Sequence, residues 1–243
     1  VQLQGRTALV TGAASGIGAA IARAYAAEGA DLVLVDRDAE RVQGLATELG
    51  AQARTVDVTH ADATRQLVDG VAAEHGRIDV LVNCAGILTE VPLVEMDVET
   101  WDRMIDVDLR SVFLLTRWAA PHMVRQGWGR VVNVASQLGL KGGESLTHYS
   151  AAKAGVIGFT KAAARELAPH GVLVNAIAPG PVSTPLVDGL SADWKRAKQA
   201  ELPLGRFGLP EEIAPTAVLL ASDPGGNLYV GQTLGPNSGD VMP

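Results

Sequence analysis

The chain has 243 residues, enough to bury a substantial core, and its 47% apolar and 19% charged content describes a folded globular protein rather than a disordered one. A net charge of −7 and a pI near 5.2 exclude a phosphate-neutralising nucleic-acid surface, and no apolar run reaches membrane-spanning length. The single cysteine, Cys84, has no intrachain partner and no signal-peptide pattern opens the chain, so a reducing, cytoplasmic location is expected.

The first predicted strand, 6–11, holds the apolar run Thr7-Ala8-Leu9-Val10. It runs into Thr11-Gly12-Ala13-Ala14-Ser15-Gly16-Ile17-Gly18, and an alanine-rich helix pattern follows over 16–29. A glycine-rich turn between strand and helix lets the backbone approach a pyrophosphate, whose charge the helix N-terminus stabilises. The spacing is G-x-x-x-G-x-G rather than the commoner G-x-G-x-x-G, and a tight β–α turn needs glycine in any case. The second strand, 31–36, ends in Asp36, eighteen residues after Gly18, where a carboxylate would meet adenosine ribose hydroxyls.

A helix over 38–49, a strand over 52–57, a helix over 61–75 and a strand over 78–83 follow. Then come a helix over 99–126, a strand over 129–136, a helix over 147–169, a strand over 172–178, a helix over 210–221 and a short strand near 230–235. This alternation predicts an α/β fold: one Rossmann-like domain over 1–243 with a doubly wound parallel sheet and helices on both faces. The ligand crevice of such a sheet lies beyond the carboxyl ends of its strands. The glycine turn, Asp36, Asp57, Asn83 and Ser136 all fall at or just after such ends. Residues 186–205, with Trp194 and a run of charges, read as a mobile lid, Trp194 serving either helix packing or substrate contact. His60, His75, His122 and His170 show no metal-ligand spacing, and no metal is expected.

Tyr149-Ser150-Ala151-Ala152-Lys153 stands thirteen residues after Ser136. It places a phenol and an ammonium one helical turn apart on one face. A tyrosine titrates near 10, and a fixed positive charge beside it favours the phenolate, which makes proton exchange with an alcohol or carbonyl oxygen feasible. The alternative is an exposed helix that carries Tyr and Lys at i and i+4 by chance.

Thr11–Gly18, Asp57-Val58, Asn83-Cys84-Ala85-Gly86, Ser136, Tyr149 with Lys153, and Pro179-Gly180 followed by Thr184-Pro185 together resemble the short-chain dehydrogenase/reductase family of the compact type, in its order and at its spacings over nearly the whole chain. The resemblance implies that Ser136 hydrogen-bonds the substrate oxygen, Tyr149 exchanges the proton, and Lys153 binds the nicotinamide ribose and lowers the tyrosine pKa. For Ser136 the alternative is a strand end satisfied by local backbone. It further implies a cofactor site of Gly12, Ser15, Gly16, Ile17, Gly18, Asp36, Arg37, Asp57, Val58, Asn83, Ala85, Gly86, Tyr149, Lys153, Pro179, Gly180, Val182 and Thr184. Asn83, Ala85 and Gly86 serve there either beside the cofactor or simply as a strand-to-loop turn.

One position departs from the family. Asp108 stands where relatives place an asparagine that extends the proton relay from the lysine. Its carboxylate either sustains that relay, or raises the lysine pKa and weakens activation of Tyr149, or simply bridges helices.

The expected coenzyme is NAD rather than NADP, because the Asp36 carboxylate accepts from both ribose hydroxyls and repels a 2′-phosphate. Arg37 either attracts that phosphate, covers the adenine or lies in solvent. Leu138, Leu146, Pro181 and Leu186 are expected to line a mostly apolar substrate pocket with Ser136 and Tyr149, with Glu144 and His148 as nearby polar groups. That lining suits a secondary alcohol or ketone with hydrocarbon substituents. A 3-oxoacyl thioester or polyol substrate, an epimerase or dehydratase using bound NAD, and a nucleotide sensor without chemistry are the other readings. Trp101, Met104, Ile105, Leu109, Phe113 and Leu114 in one helix, and Val156, Ile157 and Phe159 in another, spread over more than one face. Relatives bury these two helices between subunits, so a homotetramer is expected, with a dimer as alternative. The tail Leu234–Gly239 departs from the family's common ending and is a candidate second interface.

Overall fold

Branched apolar residues on short alternating strands assemble into one parallel sheet, described here in a computed structural model over residues 1–188 and 192–242, without the side chains of Asp188 and Trp194. Its strands are β1 Thr7–Thr11, β2 Asp31–Asp36, β3 Gln52–Thr55, β4 Val80–Asn83, β5 Gly129–Val134, β6 Val172–Ile177 and β7 Thr233–Leu234. They lie in the order β3-β2-β1-β4-β5-β6-β7, all neighbours parallel. The order reverses direction between β1 and β4. Crossovers on either side of that point go to opposite faces, which leaves a crevice at the strands' carboxyl ends.

The helices are α1 Gly16–Ala27, α2 Ala39–Leu49, α3 Ala61–His75, α4 Val98–Ile105, α5 Ser111–Gln126, α6 Leu138–Lys141, α7 Thr147–Leu167, α8 Pro185–Asp188, α9 Ala192–Glu201 and α10 Pro210–Ala221. Side chains alternate across a strand, so each strand feeds two cores. Ala8, Val10, Leu32, Leu34, Val80 and Val82 pack with α1, α2 and α10. Leu9, Val33, Val35, Leu81, Val131 and Val174 pack with α3, α5 and α7. Burying one such Val, Leu or Ile fully contributes about 1.5–3 kcal/mol, and a sheet covered on both faces needs apolar residues at every position.

Most elements fall within a few residues of their predicted places. The predicted helix 99–126 is different. It divides into α4, a π-helical turn over Asp106–Arg110, and α5. Ser111, which opens α5, donates its Oγ–H back into that turn to Val107 O at 2.6 Å, and Asp108 within the turn is fully buried. A one-residue bulge leaves the apolar periodicity nearly intact, so pattern alone does not reveal it. The predicted lid holds two helices, α8 and α9, on either side of residues outside the description. No helix among the described residues is long and apolar enough to cross a membrane.

Candidate active site

The turn after β1 is built by close backbone approach. Gly12 has φ +66°, and a Cβ there would lie 2.8 Å from the backbone of Ala85. A Cβ on Gly18 would lie 2.1 Å from the Gly12 carbonyl oxygen, so both positions demand glycine. Thr11 Oγ1 locks the two loops together. It donates to Val82 O at 3.2 Å and accepts from the N–H groups of Cys84 and Ala85 at 3.1 and 3.3 Å. Ser15 is extended and its hydroxyl caps nothing, and the first turn of α1 carries no acid. The N-terminal N–H groups of α1 therefore face the crevice without an internal anion, which fits a dinucleotide pyrophosphate.

Asp36 closes β2 beside this turn. Its carboxylate accepts from Ala14 N–H and from Asp38 N–H, both at 3.0 Å, which fixes its plane at the crevice. Arg37 next to it is exposed. Asp57 accepts from Thr59 N–H and Oγ1 at 2.9 and 2.7 Å, and the Thr59 backbone bond chiefly holds its pKa below the ordinary value.

A cleft of about 570 Å³ brings most predicted residues together. Gly12, Ser15, Gly16, Ile17, Gly18, Asp36, Arg37, Gly86, Asp108, Ser136, Leu138, Glu144, Leu146, Tyr149, Lys153, Pro179, Gly180, Pro181, Val182, Thr184 and Leu186 all line it. Asp57, Val58 and Ala85 line an adjoining cavity of about 760 Å³ that shares Gly12, Asp36, Arg37 and Gly86. Two residues stand apart from the cleft wall. Asn83 lines neither cavity: its Nδ2 donates to Thr116 Oγ1 and Asn133 Oδ1, and Asn133 donates on to Thr160, a buried polar ladder that ties β4 and β5 to α5 and α7. His148 is fully buried, with Nε2 2.9 Å from Thr89 Oγ1, and also lies outside the cleft wall. Ile87, Leu88, Gln137, Lys141, Lys198 and Glu201 line the cleft without having been singled out, because no motif marks them; only the charge run in α9 hinted at the last two.

Ser136, Tyr149 and Lys153 are all buried at the cleft floor. Ser136 Oγ accepts the Leu138 N–H at 3.1 Å, which leaves its own proton to donate. Lys153 Nζ donates to Val134 O at 3.0 Å and stands 3.1 Å from Asp108 Oδ2, while Asp108 Oδ1 accepts the Ile87 N–H at 2.8 Å. Gly86 makes room for this pair, since a Cβ there would lie 2.9 Å from Asp108 Oδ2.

The electrostatics keep the expected downward pull of Lys153 on Tyr149 and set burial against it. Burial raises the Tyr149 pKa above its ordinary value; Lys153 pulls it down, Asp108 pushes it up, and the sum stays raised. Burial alone would depress Lys153, but Asp108 and Tyr149 outweigh it, so Lys153 is raised too. Asp108 is itself raised by burial, against the pull of Lys153. Sequence spacing reveals the ammonium beside the phenol but not the dry environment or the second charge. Burial likewise pushes the Cys84 thiol up to about 12, so it is no thiolate nucleophile at neutral pH.

A family model described as Enoyl-(Acyl carrier protein) reductase matches residues 12–239. The chain belongs to the short-chain dehydrogenase/reductase family. It is therefore an oxidoreductase fold built for a nucleotide cofactor and a small molecule. It is 42% identical to a 3-oxoacyl-[acyl-carrier-protein] reductase of Thermotoga maritima over 247 residues, covering all of both chains. It is 46% identical to a cis-4-hydroxycyclohexanecarboxylate dehydrogenase of Sinomonas cyclohexanicum over 239 residues, 96% of each. The solved structure of a putative NAD(P)-dependent gluconate 5-dehydrogenase from Beutenbergia cavernae, with bound NADP at low occupancy, superposes with a TM-score of 0.93 at 39% identity over 98% of each chain.

Proposed function

We propose that this chain is an NAD(H)-dependent oxidoreductase that interconverts a secondary alcohol and a ketone, with Ser136, Tyr149 and Lys153 as its catalytic residues. The observation that carries the reading is the meeting of these three side chains, buried, in one cleft with the glycine turn and Asp36. The dinucleotide would be held by the α1 N-terminus, Asp36 and Lys153, and when bound it supplies or accepts the hydride. The chain's own residues manage the oxygen. As negative charge develops on a carbonyl oxygen, the Ser136 hydroxyl donates a hydrogen bond and Tyr149 donates its proton. Burial raises the Tyr149 pKa and Lys153 pulls it down; the phenol donates its proton in ketone reduction and its phenolate accepts one in alcohol oxidation. Lys153 Nζ donates to Val134 O, forms an ion pair with Asp108, and would offer a remaining N–H to a ribose hydroxyl.

The cleft wall supplied by Ile87, Leu88, Leu138, Leu146, Pro181 and Leu186 suits a hydrocarbon body. A 3-oxoacyl thioester is the second reading, favoured by the likeness to the Thermotoga reductase. Absorbance of NADH, followed with cyclic ketones and with a short 3-oxoacyl thioester, separates the two. Failure to oxidise or form NADH with any of them would overturn the proposal.

Coenzyme choice gives a sharper test. Asp36→Ala removes a carboxylate that repels a 2′-phosphate, so the ratio of kcat/KM for NAD to that for NADP should fall at least about tenfold, roughly 1.4 kcal/mol. Equal use of NADP by the unaltered protein would assign the phosphate to exposed Arg37 and refute the preference.

Assembly belongs to the same proposal. Val98, Trp101 and Phe113 leave apolar surface exposed along α4 and α5, Phe113 at 48%. A homotetramer would cover it, with a dimer as the smaller alternative. Light scattering at micromolar concentration should report a multiple of the 25.3 kDa chain, and a monodisperse mass near that value would rule assembly out.

A further inference from the structure

Helix α9 borders the substrate end of the cleft through Lys198 and Glu201, yet none of its described side chains is buried. Its Arg196–Asp193 and Lys198–Glu201 pairs lie within the helix. The Lys198–Asp240 pair leaves it. Lys198 Nζ lies 3.1 and 2.9 Å from the two oxygens of Asp240, a carboxylate of the C-terminal tail that is only 7% exposed. The same carboxylate holds Lys141 Nζ at 2.7 Å and accepts from the Gln137 amide, at the two ends of α6.

Helix α6 is fixed to the catalytic floor. Gln137 N–H donates to Pro179 O at 3.0 Å, Leu138 N–H to Ser136 Oγ at 3.1 Å, and a Cβ on Gly139 would lie 2.7 Å from the Lys153 backbone. The tail is fixed as well. Gly180 N–H donates to Pro236 O at 3.2 Å, and Asp240 N–H closes a turn on Asn237 O at 3.1 Å. Ser238 within that turn has φ +59°, a left-handed conformation uncommon for a residue with a side chain and kept where the surroundings fix it. A helix without buried apolar side chains opens at low cost, so the position of α9 depends on its polar tie. Parting Lys198 from Asp240 leaves neither group bare. Asp240 keeps Lys141 and Gln137, and Lys198 keeps Glu201 at 2.8 Å. The tie therefore opens without stranding a buried charge, which a reversible latch requires.

We propose that Asp240 is a positioning residue that latches α9 onto α6 across the substrate end of the cleft, and that substrate and coenzyme are retained while the Lys198–Asp240 pair is closed. Asp240 is absent from the cleft wall and touches no reacting atom. It acts through α9, whose Lys198 and Glu201 belong to that wall. The closed latch keeps water from Ser136 and Tyr149, and its parting lets product leave. The inference rests on the dehydrogenase reading above and adds a gate to its cleft.

Hydrogen–deuterium exchange of the full chain tests the latch directly. In Asp240→Asn and in Lys198→Gln the amides of α9 should exchange at least about fivefold faster, while those of α6 and α7 stay within about twofold of the unaltered protein. Lys141→Gln spares the Lys198–Asp240 pair and should move α9 by less than about twofold. Activity supplies the second readout. Asp240→Asn should raise both the KM for a cyclic ketone and the NADH dissociation rate by at least about fivefold, with single-turnover hydride transfer at saturating substrate within about twofold. Unchanged α9 exchange in Asp240→Asn and Lys198→Gln overturns the latch. So does faster exchange spread evenly over α6, α7 and α9, or equal release of α9 by Lys141→Gln, since either marks a structural prop. Release of α9 with KM and NADH dissociation unmoved overturns the gate. A protein that reduces no ketone fails the dehydrogenase reading, and the exchange and NADH-release comparisons still decide the latch.

Discussion

Tyr149→Phe should lower turnover by about 10²–10⁴-fold in either direction while leaving NADH binding nearly unchanged. Phenylalanine keeps the ring where it packs among Met104, Leu146 and Ala152, so the fold and the cleft shape survive. Only the hydroxyl that exchanges the substrate proton is lost, and the Ser136 hydroxyl, hydrogen-bonded by the Leu138 N–H, cannot take its place as a proton donor of suitable pKa. Stopped-flow turnover with a fluorescence titration of NADH measures both quantities. Retention of more than about a tenth of the activity would remove Tyr149 from the chemistry.

Asp108→Asn is expected to act on stability and on pH together. Asparagine keeps an amide oxygen near the Lys153 ammonium but removes the charge, so the cost should be at most about the 3–5 kcal/mol of breaking a buried ion pair, because Lys153 would keep its charge at 5% exposure. A fall in Tm is the first readout. The second has a definite sign. Asp108 raises the pKa of Tyr149, so removing its charge lets the phenol ionise at lower pH. The alkaline limb of alcohol oxidation should therefore shift toward neutrality by a measurable fraction of a pH unit or more. A lower Tm with an unmoved pH profile would reduce Asp108 to a structural strut. Of the roles open at this position from sequence, the direct ion pair supports the one that raises the lysine pKa.

The legible part of this protein lies where chemistry is local in the chain. The strand–glycine-turn–helix at Thr7–Ala27, the acid closing β2, and the i, i+4 pair Tyr149–Lys153 each express a constraint that a few consecutive residues satisfy. A turn that admits no Cβ must be glycine, and a sheet covered on both faces must alternate with amphipathic helices. The sequence by itself therefore determined the α/β class, the parallel alternation of strands and helices, and most of the residues that line the cleft.

What only the tertiary structure decided depends on distance through space and on water. Asn83 was expected either beside the cofactor or in a strand-to-loop turn, and its side chain enters a ladder with Thr116 and Asn133, more than thirty residues away along the chain. Asp108 reaches Lys153 because a π-helical turn brings it inward, a one-residue bulge that leaves no mark in periodicity. Burial then opposes the pull of Lys153 at Tyr149, since the cost of a charge in a dry site is set by everything packed around it. Asp240 lies 42 residues from Lys198 and about a hundred from Lys141, so no local pattern places one carboxylate between two lysines. Desolvation and long-range pairing are properties of the folded ensemble of neighbours, and a sequence carries them only once its chain has closed on itself.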